Sequence, residues 1–173
     1  MDLFIVRHGE TDENNKHIIQ GWLNTQLNAT GLEQAQKAAD NFDEIVEVIF
    51  ASDLKRATQT AEVFRRKFPD IVYFEDRRLR ERNFGDLMGR TKLNYDWNEF
   101  WSSPSDQVTI PNAETLDSFN LRINEFINEL RSSDYEKVLI VAHSGTINRL
   151  CYLIAAKNHS NYGNGSITHL VLN

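Results

Sequence analysis

Two apolar runs, residues 3–6 (Leu-Phe-Ile-Val) and 138–142 (Val-Leu-Ile-Val-Ala), lead straight to a histidine: His8 behind Arg7 in the first, His143 in the second. Each run suits a buried strand and is far too short to cross a membrane. Residues 48–51 (Val-Ile-Phe-Ala) and 71–74 (Ile-Val-Tyr-Phe) read as two further strands. Between the strands, apolar residues recur at helical spacing: Leu32, Ala35, Ala39, Phe42 and Val46, then Leu54, Ala57, Ala61, Phe64 and Phe68, stopped by Pro69. The first of these helices is predicted to open at Thr30, with Glu33 closing a capping box. A third helix is expected from about Thr115, with Leu116, Phe119, Ile123, Phe126 and Leu130 inward. A fourth should run from His143 to about Ala156, before a last edge strand over 167–172. Strands alternating with helices predict an α/β fold: a three-layer sandwich whose mainly parallel central sheet carries helices on both faces. Such sheets bind ligands beyond the carboxyl ends of their strands. If the strands before His8 and His143 are neighbours, two imidazoles distant in sequence arrive at one site.

No linker or repeat divides the 173 residues, so a single domain over 1–173 is expected, with a short cap-like insertion at about 83–114. The 40% hydrophobic content is enough for a sizeable core. A net charge of −6 disfavours a nucleic-acid binder, which would show a basic face, but leaves room for a small anionic substrate. The lone Cys151 rules out an intrachain disulfide framework, fits a reducing compartment and reads as a small core residue. There is no run of 18 apolar residues and no basic segment leading into a signal-type stretch, so a cytoplasmic protein without membrane partners is expected.

Phosphate chemistry needs a nucleophile beside a fixed positive charge, and Arg7-His8 supplies both. Gly9 removes a Cβ that would limit close backbone approach to a ligand. The chain resembles the histidine phosphatase superfamily, the phosphoglycerate mutase-like family, over nearly its whole length. The resemblance is carried by Arg7-His8-Gly9-Glu10-Thr11 with Asn14, by residues 20–28 (Gln-Gly-Trp-Leu-Asn-Thr-Gln-Leu-Asn) and by residues 30–35 (Thr-Gly-Leu-Glu-Gln-Ala). It continues in residues 52–61 (Ser-Asp-Leu-Lys-Arg-Ala-Thr-Gln-Thr-Ala), 79–85 (Leu-Arg-Glu-Arg-Asn-Phe-Gly) and His143-Ser144-Gly145.

The resemblance implies catalysis by His8, Glu81, Arg7, Arg56 and His143. Neutral His8 would attack phosphorus and form a phosphohistidine, with a backbone acceptor fixing its tautomer. Arg7 and Arg56 would clamp phosphoryl oxygens with planar, permanently charged forks. Ser52 and Asp53 are candidate caps for the helix that bears Arg56. His143 would donate to the transition state, and the Ser144 amide, at a helix start, would add a donor. Glu81 would protonate the leaving oxygen and later deprotonate water. Its competing reading is an ion pair with Arg78, Arg80 or Arg82. Asn14 reads equally as a phosphate donor or a turn residue, Gln20 and Gly21 as substrate contacts, and Glu10 as structural. No metal or cofactor is called for: His17, His159 and His169 lack ligand spacing.

Family mutases carry a long insertion with paired arginines before the second histidine. Here Glu81 and His143 lie 62 positions apart, and Lys92 is the only basic residue between Arg90 and Arg122. The insertion is aromatic instead (Tyr95, Trp97, Phe100, Trp101), suited to covering an organic group or to a local mini-core. A phosphomonoesterase acting on small phosphorylated metabolites is therefore expected, as monomer or homodimer. Phosphoglycerate mutase-type transfer, and an inactive binding module on the same scaffold, are the alternatives. Departures from the family pattern are Met88 for the usual Glu, Asn112-Ala113-Glu114 for a Gly-Gly-Glu segment, and Ser144 for Gly.

Overall fold

The computed structural model describes residues 1–91, 110–157 and 159–173. The chain runs β1 (Asp2–Arg7), α1 (Asp12–Asn15), α2 (Ala29–Asp40), β2 (Val48–Ala51), α3 (Lys55–Lys67), β3 (Val72–Glu75), α4 (Leu116–Arg131), β4 (Lys137–Ala142), α5 (Ser144–Ala155) and β5 (Ile167–Val171). The strands form one sheet in the order β3-β2-β4-β1-β5. Its first four strands pair in parallel, and β5 runs antiparallel to β1 at the edge. The fold is the expected three-layer α/β sandwich.

Side-chain alternation along each strand divides the core in two. Leu3, Ile5, Val48, Phe50, Val138 and Ile140 face α4 and α5, where Phe119, Ile123, Phe126, Ile147 and Leu150 meet them. Phe4, Val6, Ile49, Ala51, Leu139 and Val141 face α2 and α3, meeting Ala35, Ala39, Ala57, Ala61 and Phe64. Burial on both faces explains why the central strands read as unbroken apolar runs. Cys151 lies in the first of these cores.

Several local expectations are corrected. The cap of α2 is Asn28, not Thr30: its side chain accepts from the Gly31 amide at 2.8 Å while its own amide group reaches Glu10 at 2.9 Å. Leu32, expected inward, is 48% exposed, and Phe42 and Val46 are buried beyond the end of the helix. At α1, Thr11 and Asn14 close a capping box, a short helix that no apolar periodicity announces. After β3, Arg77–Leu79 and Gly85–Leu87 form 3-10 turns, and Phe84 and Leu87 pack on Ile19 in a small satellite core. Residues 92–109, including Lys92, the four aromatics of the insertion and Pro104, lie outside the described residues.

Candidate active site

β1 and β4 are neighbours in register, with Arg7 opposite Ala142, and the His8 amide donates to the Ala142 carbonyl at 3.0 Å. The two histidines therefore leave the sheet side by side. Their ring centroids lie 5.1 Å apart at 60°, and both rings are buried. The third group comes from α3. Arg56, only 1% exposed, places Nε 3.3 Å from His8 Nε2. Its remaining donors are anchored on the Gly21 carbonyl (2.8 Å), the Leu23 carbonyl (2.7 Å) and the Thr25 hydroxyl (3.3 Å).

A guanidinium nitrogen only donates, so His8 Nε2 must be the accepting, unprotonated nitrogen. The ring proton then sits on Nδ1, which donates to the Gly9 carbonyl at 2.7 Å. This is the backbone acceptor that the sequence could not name. It leaves the Nε2 lone pair in a pocket of cations. Burial pushes the Arg56 guanidinium down to about 10, with Glu81 opposing, so it stays charged at neutral pH. Arg7 is lowered for the same reason. Its Nη1 donates to the Tyr162 carbonyl, and its Nε is a buried donor without a partner among the described residues.

His143 stands at the N-cap position of α5 without a side-chain cap bond and pairs Nε2 with the Ser52 hydroxyl at 2.8 Å; its Nδ1 is buried without a partner among the described residues. Burial, reinforced by Arg56, His8, Arg122 and Arg7, holds this imidazole well below its ordinary pKa. Ser52 and Asp53 thus do not cap α3, whose N-cap Leu54 has no side-chain cap. Asp53 instead takes Arg80 in a two-pronged pair at 2.6 and 2.5 Å.

Glu81 is not spent on its neighbouring arginines in the way its competing reading required. Arg78 pairs with Asp76 and Glu129, Arg80 with Asp53, and Arg82 Nε donates to the Glu114 carbonyl. The Glu81 carboxylate accepts from two main-chain amides, Arg82 and Gly145, each at 2.9 Å. Gly145 lies in the first turn of α5, so this bond places the carboxylate beside the helix end that follows His143. The carbonyl of Glu81 is pinned by Trp22 Nε1 (2.7 Å) and Arg122 (2.9 Å). Arg122 also holds the Arg78 and Arg80 carbonyls and grips Glu114 through two bonds.

The remaining candidates divide. Asn14 Oδ1 is surrounded by donors from Thr11 and Asn164, which turns its Nδ2 outward. Ser144 is the first residue of α5. Gln20 and Gly21 support Arg56: Gly21 through its carbonyl, and Gln20 by accepting from the Thr25 hydroxyl at 2.5 Å. Glu10 is structural, since its carboxylate holds Asn28. Gly9 has a role in the fold. A Cβ there would meet the Gly31 carbonyl at 2.1 Å, and a Cβ on Gly31 would meet the Glu10 carbonyl at 2.0 Å. Among the described residues, no three His, Cys, Asp or Glu side chains gather as metal ligands would.

Sequence reading missed Ser52 as a histidine partner, Trp22 and Arg122 as holders of Glu81, and the 160–166 segment beside Arg7. Ser52 lies within a motif, but its partner His143 is 91 positions away and carries no local signal.

The model of the histidine phosphatase superfamily (branch 1) matches residues 3–173. This chain belongs to the histidine phosphatase superfamily. Among its relatives in that superfamily is phosphoglycerate mutase-like protein 4 of Arabidopsis thaliana, 33% identical over 86% of this chain and 69% of the relative. A putative phosphoserine phosphatase 2 of Hydrogenobacter thermophilus is 32% identical over 94% and 82% of the two chains. A mycobacterial glucosyl-3-phosphoglycerate phosphatase, solved in complex with VO3, superposes with a TM-score of 0.85 at 29% identity, covering 98% and 92%. The histidine phosphatase fold, and an enzyme of that superfamily, are what the sequence predicted.

Proposed function

We propose that this chain is a metal-independent phosphomonoesterase working through a phosphohistidine on His8 Nε2. One observation carries the reading: the proton of His8 is committed to the Gly9 carbonyl, so the other ring nitrogen offers its lone pair beside Arg56. When a phosphoryl group enters, Arg56 Nε turns from that nitrogen to a phosphoryl oxygen. Arg7 Nε, Asn14 Nδ2, His143 and the Ser144 amide are the further donors for those oxygens. Nε2 attacks phosphorus in line, the bond to the leaving oxygen breaks, and Glu81 supplies the proton that oxygen needs. Water then attacks the phosphohistidine, Glu81 takes its proton, and inorganic phosphate leaves with His8 restored.

The names of the relatives point to phosphoserine and glucosyl-3-phosphoglycerate as first compounds to try. The test is hydrolysis of p-nitrophenyl phosphate in excess chelator between about pH 5 and 8, with a denaturing alkaline quench to trap labelled enzyme. The reading expects turnover that survives chelation and an acid-labile phosphoryl label, both lost in His8→Ala. Turnover abolished by chelator, or undiminished in His8→Ala, overturns it. A mutase reading is favoured by the name of the Arabidopsis relative. It predicts that a phosphoglycerate gives mainly isomer, where the phosphatase reading predicts mainly free phosphate.

A further inference from the structure

The segment from Ser160 to Ser166 touches the first motif at every turn, although nothing in the proposed chemistry uses it. Asn148 on α5 holds its start, donating to the Ser160 carbonyl at 3.0 Å and accepting from the Ser160 amide at 2.7 Å. The Tyr162 carbonyl takes Arg7 Nη1. The Gly165 amide reaches the Arg7 carbonyl at 3.0 Å, and the Ser166 carbonyl takes the Arg7 amide at 3.0 Å. Between them, Asn164 Nδ2 donates to the His8 carbonyl at 3.0 Å and to Asn14 Oδ1 at 3.4 Å.

We infer that Asn164 is a positioning residue that sets both the nucleophile and the Asn14 donor. Its first bond, seconded by the Gly165 amide at 3.3 Å, holds one end of the His8–Gly9 peptide. The other end, the Gly9 amide, is held by Thr60 Oγ1 at 3.1 Å. Thr60 in turn donates to the Arg56 carbonyl at 2.9 Å. With that peptide plane held from both sides, the next carbonyl, Gly9, is delivered to His8 Nδ1. The tautomer that frees Nε2 therefore depends in part on a side chain 156 positions away, whose bond is the shorter of the two that reach the His8 carbonyl. The second bond acts on the amide of Asn14. Thr11 donates its amide and its hydroxyl to Asn14 Oδ1, each at 3.2 Å, and Asn164 adds another donor to that same oxygen. An amide whose oxygen is surrounded by donors must show its NH2 on the other side.

This inference rests on the phosphohistidine reading for its kinetic consequence, but its geometric half can be read without turnover. The experiment uses Asn164→Ala and Asn164→Ser beside Asn14→Ala and the double variant. In the unliganded protein, nitrogen-15 shifts of the His8 ring report the tautomer. The intact protein should show a neutral ring protonated at Nδ1, and both Asn164 variants should show a mixture. In kinetics with p-nitrophenyl phosphate, Asn164→Ala should lower kcat/KM by roughly ten- to a hundredfold, as misplacement of reacting groups does. The double variant should lose little more than the worse single variant, because both act through one donor. An unchanged tautomer, or losses that simply multiply, overturns the assignment. An altered tautomer in a protein that hydrolyses no phosphate ester would instead leave the positioning intact and remove the phosphatase reading.

Discussion

Arg56 shows at the scale of one residue why arginine and lysine are not exchangeable here. Its guanidinium spans the Gly21 and Leu23 carbonyls, the Thr25 hydroxyl and His8 Nε2. Lysine offers a point charge on a flexible stem and no planar fork. Arg56→Lys should therefore lower kcat on a phosphate ester by about 10²- to 10³-fold, the usual cost of an oxyanion donor. Full activity in that variant would show that charge alone is enough. The identity of this residue was legible in the sequence, since the motif around it is specific. Its anchors were not, because three of them belong to the 20–25 segment and two are main-chain carbonyls, which have no letter in a sequence.

At the scale of elements, the clearest device is the tie between α4 and the segment bearing Glu81. Arg122 projects from α4 onto the carbonyls of Arg78, Arg80 and Glu81, while Glu114, just before the helix, neutralises it. Removing Arg122 takes a donor from three carbonyls, of which Glu81 keeps Trp22 and Arg80 keeps Thr146, and leaves the Glu114 carboxylate without its paired cation. Arg122→Met should lower the thermal midpoint and cost about 3–5 kcal/mol of stability, the range for breaking a largely buried, hydrogen-bonded pair. Unfolding in denaturant measures it, and a loss under about half a kcal/mol would mean the clamp is ornamental. Element positions were mostly legible, because burial on both faces of the sheet and one face of each helix leaves a plain period. The errors share one cause. Periodicity assigned Leu32 to the core and composition allowed Thr30 as a cap, but the contact of Asn28 with Glu10 decides where α2 begins.

Across the whole molecule, the sheet order puts β1 beside β4, and both histidines follow from that adjacency. It was foreseeable as a condition, since parallel sheets place strand ends together, but strand order itself is not written in any local pattern. The arrangement has a thermodynamic consequence. His143 is held below its ordinary pKa in the folded state, so the unfolded chain binds a proton more readily. Its contribution to stability is fully present above its unfolded pKa of about 6.5 and fades as pH falls below that value. The thermal midpoint should drop between about pH 7 and 5, and His143→Gln should flatten that slope; an identical slope in the variant would assign the acid sensitivity elsewhere. The contact between Gly9 and Gly31 carries the last implication. Where main chain lies directly on main chain, the spacing between the loop bearing His8 and α2 is dictated by atomic radii, with no side chain to act as a shim. Mutations in the surrounding core can soften or stiffen the molecule, yet they have no lever on that gap, and the seat of His8 is dimensioned by the backbone itself.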